Sequence, residues 1–81
     1  MRVKVLFFAA ARDLAGASET VLELDVGATI ADAVIALATA HARLGPHLGR
    51  MRVARNEAFA DSTEGLADGD VLALIPPVAG G

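Results

Sequence analysis

Residues 71–81 read Val71-Leu72-Ala73-Leu74-Ile75-Pro76-Pro77-Val78-Ala79-Gly80-Gly81. The first five form an unbroken apolar run. Its length suits a strand, and the absence of polar alternation predicts a position in the middle of a sheet rather than at its edge. Pro76 and Pro77 then stop the pairing, because each ring fixes φ and removes a backbone donor. An extended segment is expected to follow. At about 3.1 Å per residue, residues 76–81 reach roughly 19 Å. Ala79, Gly80 and Gly81 carry little or no side chain, so this segment suits a channel too narrow for larger residues. The chain thus divides into a folded unit, residues 1–75, and a flexible extended tail, residues 76–81.

Working outward from that run, Asp68-Gly69-Asp70 reads as the turn that feeds the strand. At the other end of the sequence, Val3, Val5 and Phe7 alternate with Arg2, Lys4, Leu6 and Phe8 over residues 2–8. That period of two marks a strand with Val3, Val5 and Phe7 on the core and with Leu6 and Phe8 left on the outer face. Ala9 to Ala15 can make a turn or two of helix, ended by Gly16. Residues 19–25 alternate again, with Thr20, Leu22 and Leu24 on one side, and are expected to pair with the first strand. Thr29 can cap a helix over about 30–43, with Asp32 in its first turn and Ile30, Val34, Leu37 and His41 at helical spacing. Gly45-Pro46 is expected to end it. Residues 51–55 and 58–60 read as short strands about a turn at Asn56-Glu57.

The predicted order is strand, strand, helix, short strands, strand. A hairpin, one helix crossing a mixed sheet and a last strand placed centrally beside the first describe an α+β, ubiquitin-like β-grasp, which leaves the second sheet face open. A ferredoxin-like half has the same order but needs a second long helix, and none is visible.

At 81 residues there is room for one domain. Of the 54% hydrophobic residues, 18 are Ala, and the remaining Val, Ile, Leu, Met and Phe suffice for a core without staples. There is no Cys, which argues against a disulfide scaffold, suits a reducing, cytoplasmic location, and removes thiol nucleophiles and cysteine-ligated metal. Seven basic against ten acidic residues give a net charge of -3, the wrong balance for binding nucleic acid through its phosphates. No apolar stretch approaches the roughly 18 residues of a membrane span. Arg2 and Lys4 before Val5 to Ala11 imitate a secretory leader. The alternation through Lys4, and the strand that cleavage would remove, argue against that reading.

Residues 56–81 contain Glu57, Asp61, Glu64, Asp68 and Asp70 and no base. Two readings stand: acids favoured in turns, or steering of this end toward a basic pocket on a partner. Arg43, Arg50, Arg52 and Arg55 read as a solvated face before they read as a phosphate site. His41 reads as a core or boundary residue and His47 as a loop residue, and two His without Cys make no metal site. The group that stands out is the α-carboxylate expected at Gly81. A carboxylate is inert toward nucleophiles at neutral pH, so its use requires activation by another protein, most simply as an acyl-adenylate made from ATP. Attack by sulfur would then leave a thiocarboxylate.

The opening Val5-Leu6-Phe7-Phe8-Ala9-Ala10-Ala11-Arg12-Asp13 with Gly16, and the closing Leu66 to Gly81, resemble the small, sulfur-carrying subunit of molybdopterin synthase over the whole chain. The resemblance implies a subunit that is no enzyme on its own and binds no cofactor. An activator related to the ubiquitin activators, consuming ATP, would adenylate Gly81, the reacting residue, and a sulfur donor protein would supply the sulfur. The thiocarboxylate would then enter the large, catalytic subunit, with Gly80, Ala79, Val78, Pro77 and Pro76 threading the tail. There it would give sulfur to cyclic pyranopterin monophosphate in an assembly of two small and two large subunits. Phe8, Phe59 and Ile75, with Arg12 as a polar contact, match the positions through which such carriers dock. The other pathways open to such a carrier are thiamine thiazole, cysteine or tRNA sulfur transfer, or attachment to lysines as a ubiquitin-like modifier. Asp13, where the family usually has Glu, and Ile75 and Ala79, where aromatic and hydroxyl residues are common, bear on partner preference.

Overall fold

The computed structural model describes residues 1–77. The expectations placed on Val78, Ala79, Gly80 and Gly81 lie outside the described residues. Strand β1 spans Arg2–Phe7, helix α1 Ala9–Ala15, β2 Glu19–Glu23, α2 Ile30–Ala40, β3 Arg52–Arg55, β4 Ala58–Phe59 and β5 Val71–Ile75, with a 3₁₀ helix at Gly45–Arg50 before β3. They form one five-stranded sheet in the order β2-β1-β5-β3-β4. The apolar run of residues 71–75 is the central strand, parallel to β1 (Val5 opposite Leu72) and antiparallel to β3 (Val53 opposite Leu74).

The core lies where period-two strands meet period-3.6 helix. Val3, Val5 and Phe7 of β1, Leu22 of β2 and Leu72 and Leu74 of β5 point to one sheet face. There they pack on Ile30, Ala33 and Leu37 of α2, with Leu44 and Leu48 closing the tail end of this layer. This helix-covered sheet, with its parallel β1–β5 centre, is the β-grasp that the element order implies.

Local chemistry sets the element ends. α1 stops at Gly16, whose φ of 72° is open to glycine and whose N–H donates to the Arg12 carbonyl. α2 starts in a capping box: the Asp32 N–H donates to Thr29 Oγ1 at 3.3 Å, and the Thr29 N–H donates to Asp32 Oδ2 at 2.9 Å. The β3–β4 hairpin turns on Asn56 and Glu57, both at positive φ (51° and 73°), the geometry that matches strand twist. Gly69, at φ 88°, makes the tight turn before β5.

Several boundaries differ from expectation. α2 ends at Ala40 rather than near 43, because His41 leaves helical angles and the chain continues in i+3 turns (Leu44 N–H to His41 carbonyl, His47 N–H to Leu44 carbonyl) that drive Leu44 into the core. Gly45 and Pro46 therefore open the 3₁₀ helix rather than close α2; near its start the proline's missing donor costs little. His47 lies in this 3₁₀ helix, not in a loop. The second strand stops at Glu23 rather than 25, and the short strands are 52–55 and 58–59. Ala33, absent from the expected helix face, is fully buried, whereas Val34 is only half-buried. Its methyl lets α2 approach the sheet closely.

Candidate functional site

Alternation along β5 divides its side chains. Leu72 and Leu74 enter the core, so Val71, Ala73 and Ile75 face the side of the sheet that no helix covers. The same parity brings Leu6 of β1 to that side, and Phe8 lies just beyond the strand. Register brings Ala54 opposite Ala73, and the hairpin sets Phe59 opposite Ala54. Phe8, Ala54, Glu57, Phe59, Ala73 and Ile75 together line a shallow depression. Phe8 remains 48% and Phe59 55% exposed. A second depression beside it is lined by Leu6, Phe8, Val71 and Ala73.

Phe8, Phe59 and Ile75, singled out in the sequence, thus come together although 51 residues separate Phe8 from Phe59 (59 − 8). They form an open patch beside the end of β5. Arg12 does not line this depression; it sits on α1, exposed. A residue that the sequence reading left in a solvated group belongs here instead. Arg52 faces Ile75 in register, and its guanidinium lies 3.6 Å from the centroid of the Phe59 ring. This cation–π contact holds the exposed ring in place. The signal was present in the hairpin: with a two-residue turn at 56–57, Ala54 and Phe59 must pair and Arg52 must share their face.

Pro76 is half-buried and Pro77 exposed. Beside them, a depression between α1 and the 3₁₀ helix is lined by Ala10, Asp13, Leu14, His47, Arg50 and Met51. An Arg50 guanidinium nitrogen lies 3.3 Å from His47 Nδ1. A larger groove, lined by Ile30, Val34, Met51, Arg52 and Glu64 among others, runs between α2 and the β3–β4 hairpin. It holds Ser62 near Asp61 and Glu64, but the Glu64 carboxylate is taken up by Arg55 and the Asp61 N–H.

The other polar candidates have structural roles. His41 packs edge-on to Phe7 with ring centroids 5.4 Å apart, at the core boundary as expected. Arg55 reaches the Gly65 carbonyl and pairs with Glu64 at 3.0 Å, which takes it out of the four-arginine group. Among the described residues, no three His, Asp or Glu side chains converge as metal ligands, and no helix is long and apolar enough to cross a membrane. The acids after residue 56 mostly build turns. Asp68 Oδ1 accepts the Arg2 N–H at 2.7 Å, and Glu64 Oε2 accepts the Asp61 N–H at 2.8 Å. Asp70 accepts the Ala67 N–H and the Asn56 side-chain amide. These bonds, the backbone donor first, then Asn56 and the more distant Arg55, hold the Asp70 carboxyl below its ordinary value.

A β-grasp with an uncovered apolar patch beside the end of its central strand is the architecture of a ubiquitin-like protein carrier. The chain belongs to the ThiS family, whose model matches residues 5–81, and is a ubiquitin-like sulfur carrier rather than an enzyme in its own right. It is 37% identical over 83 residues to a molybdopterin synthase sulfur carrier subunit from Chlamydomonas reinhardtii, covering 100% of both chains. It is 38% identical over 82 residues to the small archaeal modifier protein 1 of Haloferax volcanii, covering 91% of this chain and 94% of the other. A crystal structure of that modifier superposes with a TM-score of 0.94 at 34% identity, covering 100% of both chains. A chain from the complex of subunits 1 and 2 of the molybdopterin-converting factor of Helicobacter pylori aligns with a TM-score of 0.73 at 28% identity, again over 100% of both.

Proposed function

We propose that Gly81 supplies the working group of this carrier: its α-carboxylate attacks the α-phosphate of ATP on an activating enzyme, releasing pyrophosphate, and a sulfur donor then displaces AMP to leave a thiocarboxylate. Pro76 and Pro77 hold the tail clear of the fold, and Val78, Ala79 and Gly80 thread it into a partner. The observation that carries this reading is the placement of an exposed apolar patch, Phe8, Phe59 and Ile75, beside the last residue of the strand that leads into the tail. Such a patch gives the partner a handle next to the group it must receive. Chemistry then takes place in the partners, in the cytoplasm.

Two destinations have support. Likeness to the sulfur carrier subunits supports delivery to the large subunit of molybdopterin synthase, in an assembly of two small and two large chains, with sulfur passing to cyclic pyranopterin monophosphate. The higher structural likeness, to the archaeal modifier, supports the alternative of a carrier that serves another sulfur pathway or is joined to lysines of target proteins. Intact-mass analysis after incubation with an activating enzyme, ATP and a sulfur source tests the shared chemistry. The expected result is an oxygen-to-sulfur exchange at Gly81, abolished by deleting that residue. Persistence of the exchange elsewhere in the chain would sink the reading. Capture of the synthase large subunit separates the first destination from the second, which predicts isopeptide-linked ladders.

A further inference from the structure

Of the two readings of the acidic C-terminal third, the hydrogen bonds of Glu64, Asp68 and Asp70 support the one in which acids build turns. We propose that the tail leaves the fold through a basic collar, and that this collar fits an acidic rim on the protein that receives the tail. The proposal rests on the carrier reading above, which supplies the existence of such a receiver.

Parallel pairing puts the ends of β1 and β5 together, and the tail follows from there. Arg52 faces Ile75 at that end, and Arg50 with His47 lines the depression beside Pro76 and Pro77. α1, which carries Arg12, leaves β1 at the same end. α2 finishes there too, with His41 against Phe7 and Arg43 two residues further on. None of these guanidiniums forms an ion pair among the described residues. Asp13 is the one carboxylate lining the depression beside the prolines, and Glu19 is taken up by Lys4 at 3.6 Å. Asp61 and Glu64 share a groove with Arg52, Glu64 being paired with Arg55, and Glu57 lines the depression that holds Ile75, so Arg12, Arg43, Arg50 and Arg52 outnumber the unpaired acids around them without excluding them.

The opposite end is acidic. The turn through Asp68 and Asp70 lies against Arg2, and Glu64 meets the start of α2 through its carbonyl. Glu23, Asp25 and Asp32 lie at the same end. Its bases, Arg2 and Arg55, are already paired with Glu23 and Glu64, each at 3.0 Å. A five-residue strand spans about 17 Å, roughly twice the Debye length of about 8 Å at physiological salt. An approaching surface therefore senses the nearer end rather than the net charge of -3. Since Arg50 and Arg52 line different depressions, the arrangement suits a rim more than a single phosphate. Its effect is to orient the carrier tail-first on encounter.

Two measurements test this. In the first, hexaglutamate is titrated into the full-length protein at low salt while amide NMR shifts are followed. The shifts are expected to cluster around Arg12, Arg50 and Arg52 and to vanish in Arg12→Glu/Arg50→Glu and at high salt. Scattered or absent shifts, or shifts unchanged in the variant, overturn the proposal. In the second, adenylation by the activating enzyme should show kcat/KM about tenfold lower for that variant at low salt, with kcat retained and the gap closing as salt rises. Asp25→Lys, at the far end, should change it less than about twofold. A variant with wild-type kcat/KM overturns the collar and leaves the carrier reading standing. If the wild type is not adenylated at all, the carrier reading falls, and the peptide titration decides the surface alone.

Discussion

The two faces of the sheet are built from the same strands with opposite outcomes. On the covered face Val3, Val5, Phe7, Leu72 and Leu74 are all but inaccessible beneath α2. On the other, one residue along each strand, Leu6, Ala73 and Ile75 are only half-buried, and Phe8 and Phe59 stand largely in solvent. A ring such as Phe59 gains little for folding from that position, so the comparison teaches that one face holds the fold and the other is available for contact.

Leu74→Ala is the largest perturbation of that contrast. Removing a buried branched side chain at the centre of the covered face should cost about 2–5 kcal/mol, a large part of the roughly 5–15 kcal/mol that small domains possess. Urea unfolding should show it as a lower midpoint. Stability within a few tenths of a kcal/mol of wild type would mean that the core lies elsewhere. Phe59→Ala should do the reverse. Its unfolding free energy should fall by less than about 1 kcal/mol, the scale of the Arg52 cation–π contact, while affinity for a partner falls about tenfold or more. Calorimetry of binding beside thermal melts separates the two effects, and an equal loss in both would erase the distinction between the faces.

Asp70 gives the smallest effect and lies in the turn before the central strand, whose residues alternate between the two faces. Its folded carboxyl is held below the ordinary value by the Ala67 N–H and Asn56, so folding favours its ionised form. That contribution is present above the unfolded value near 3.8 and is lost as pH falls through the lower folded value. Asp70→Asn should be slightly less stable than wild type at neutral pH, and the difference should shrink in acid when melting temperatures are followed down the pH scale. A gap that widens in acid would contradict the assigned bonds.

Much of this was legible before the fold was known. The alternation of residues 2–8, the helix stopped by Gly16, the cap at Thr29 and the run at 71–75 are local signals, and each appears where its residues place it. The end of α2 was not, because the burial of Leu44 outweighed a proline further along. In the candidate site, the family resemblance pointed to Phe8, Phe59 and Ile75, of which only the outward Phe8 was legible in the strand pattern, and the fold places all three around one depression. The contact of Arg52 with Phe59 was not legible because it depends on hairpin register. The acids after residue 56 were ambiguous in sequence, since nothing local says which backbone N–H groups Asp68 and Asp70 will meet.

Order and type of the elements, the apolar parity of each strand and the small-residue tail follow from the sequence alone, because periodicity, caps and proline act over a few neighbouring residues. The gathering of distant aromatics on one open face, and the placing of unpaired Arg50 and Arg52 beside the tail while Arg2 and Arg55 are paired with carboxylates at the other end, were decided only by tertiary structure. Parallel pairing of β1 with β5 joins residues some seventy positions apart, and charge acts through space rather than along the chain.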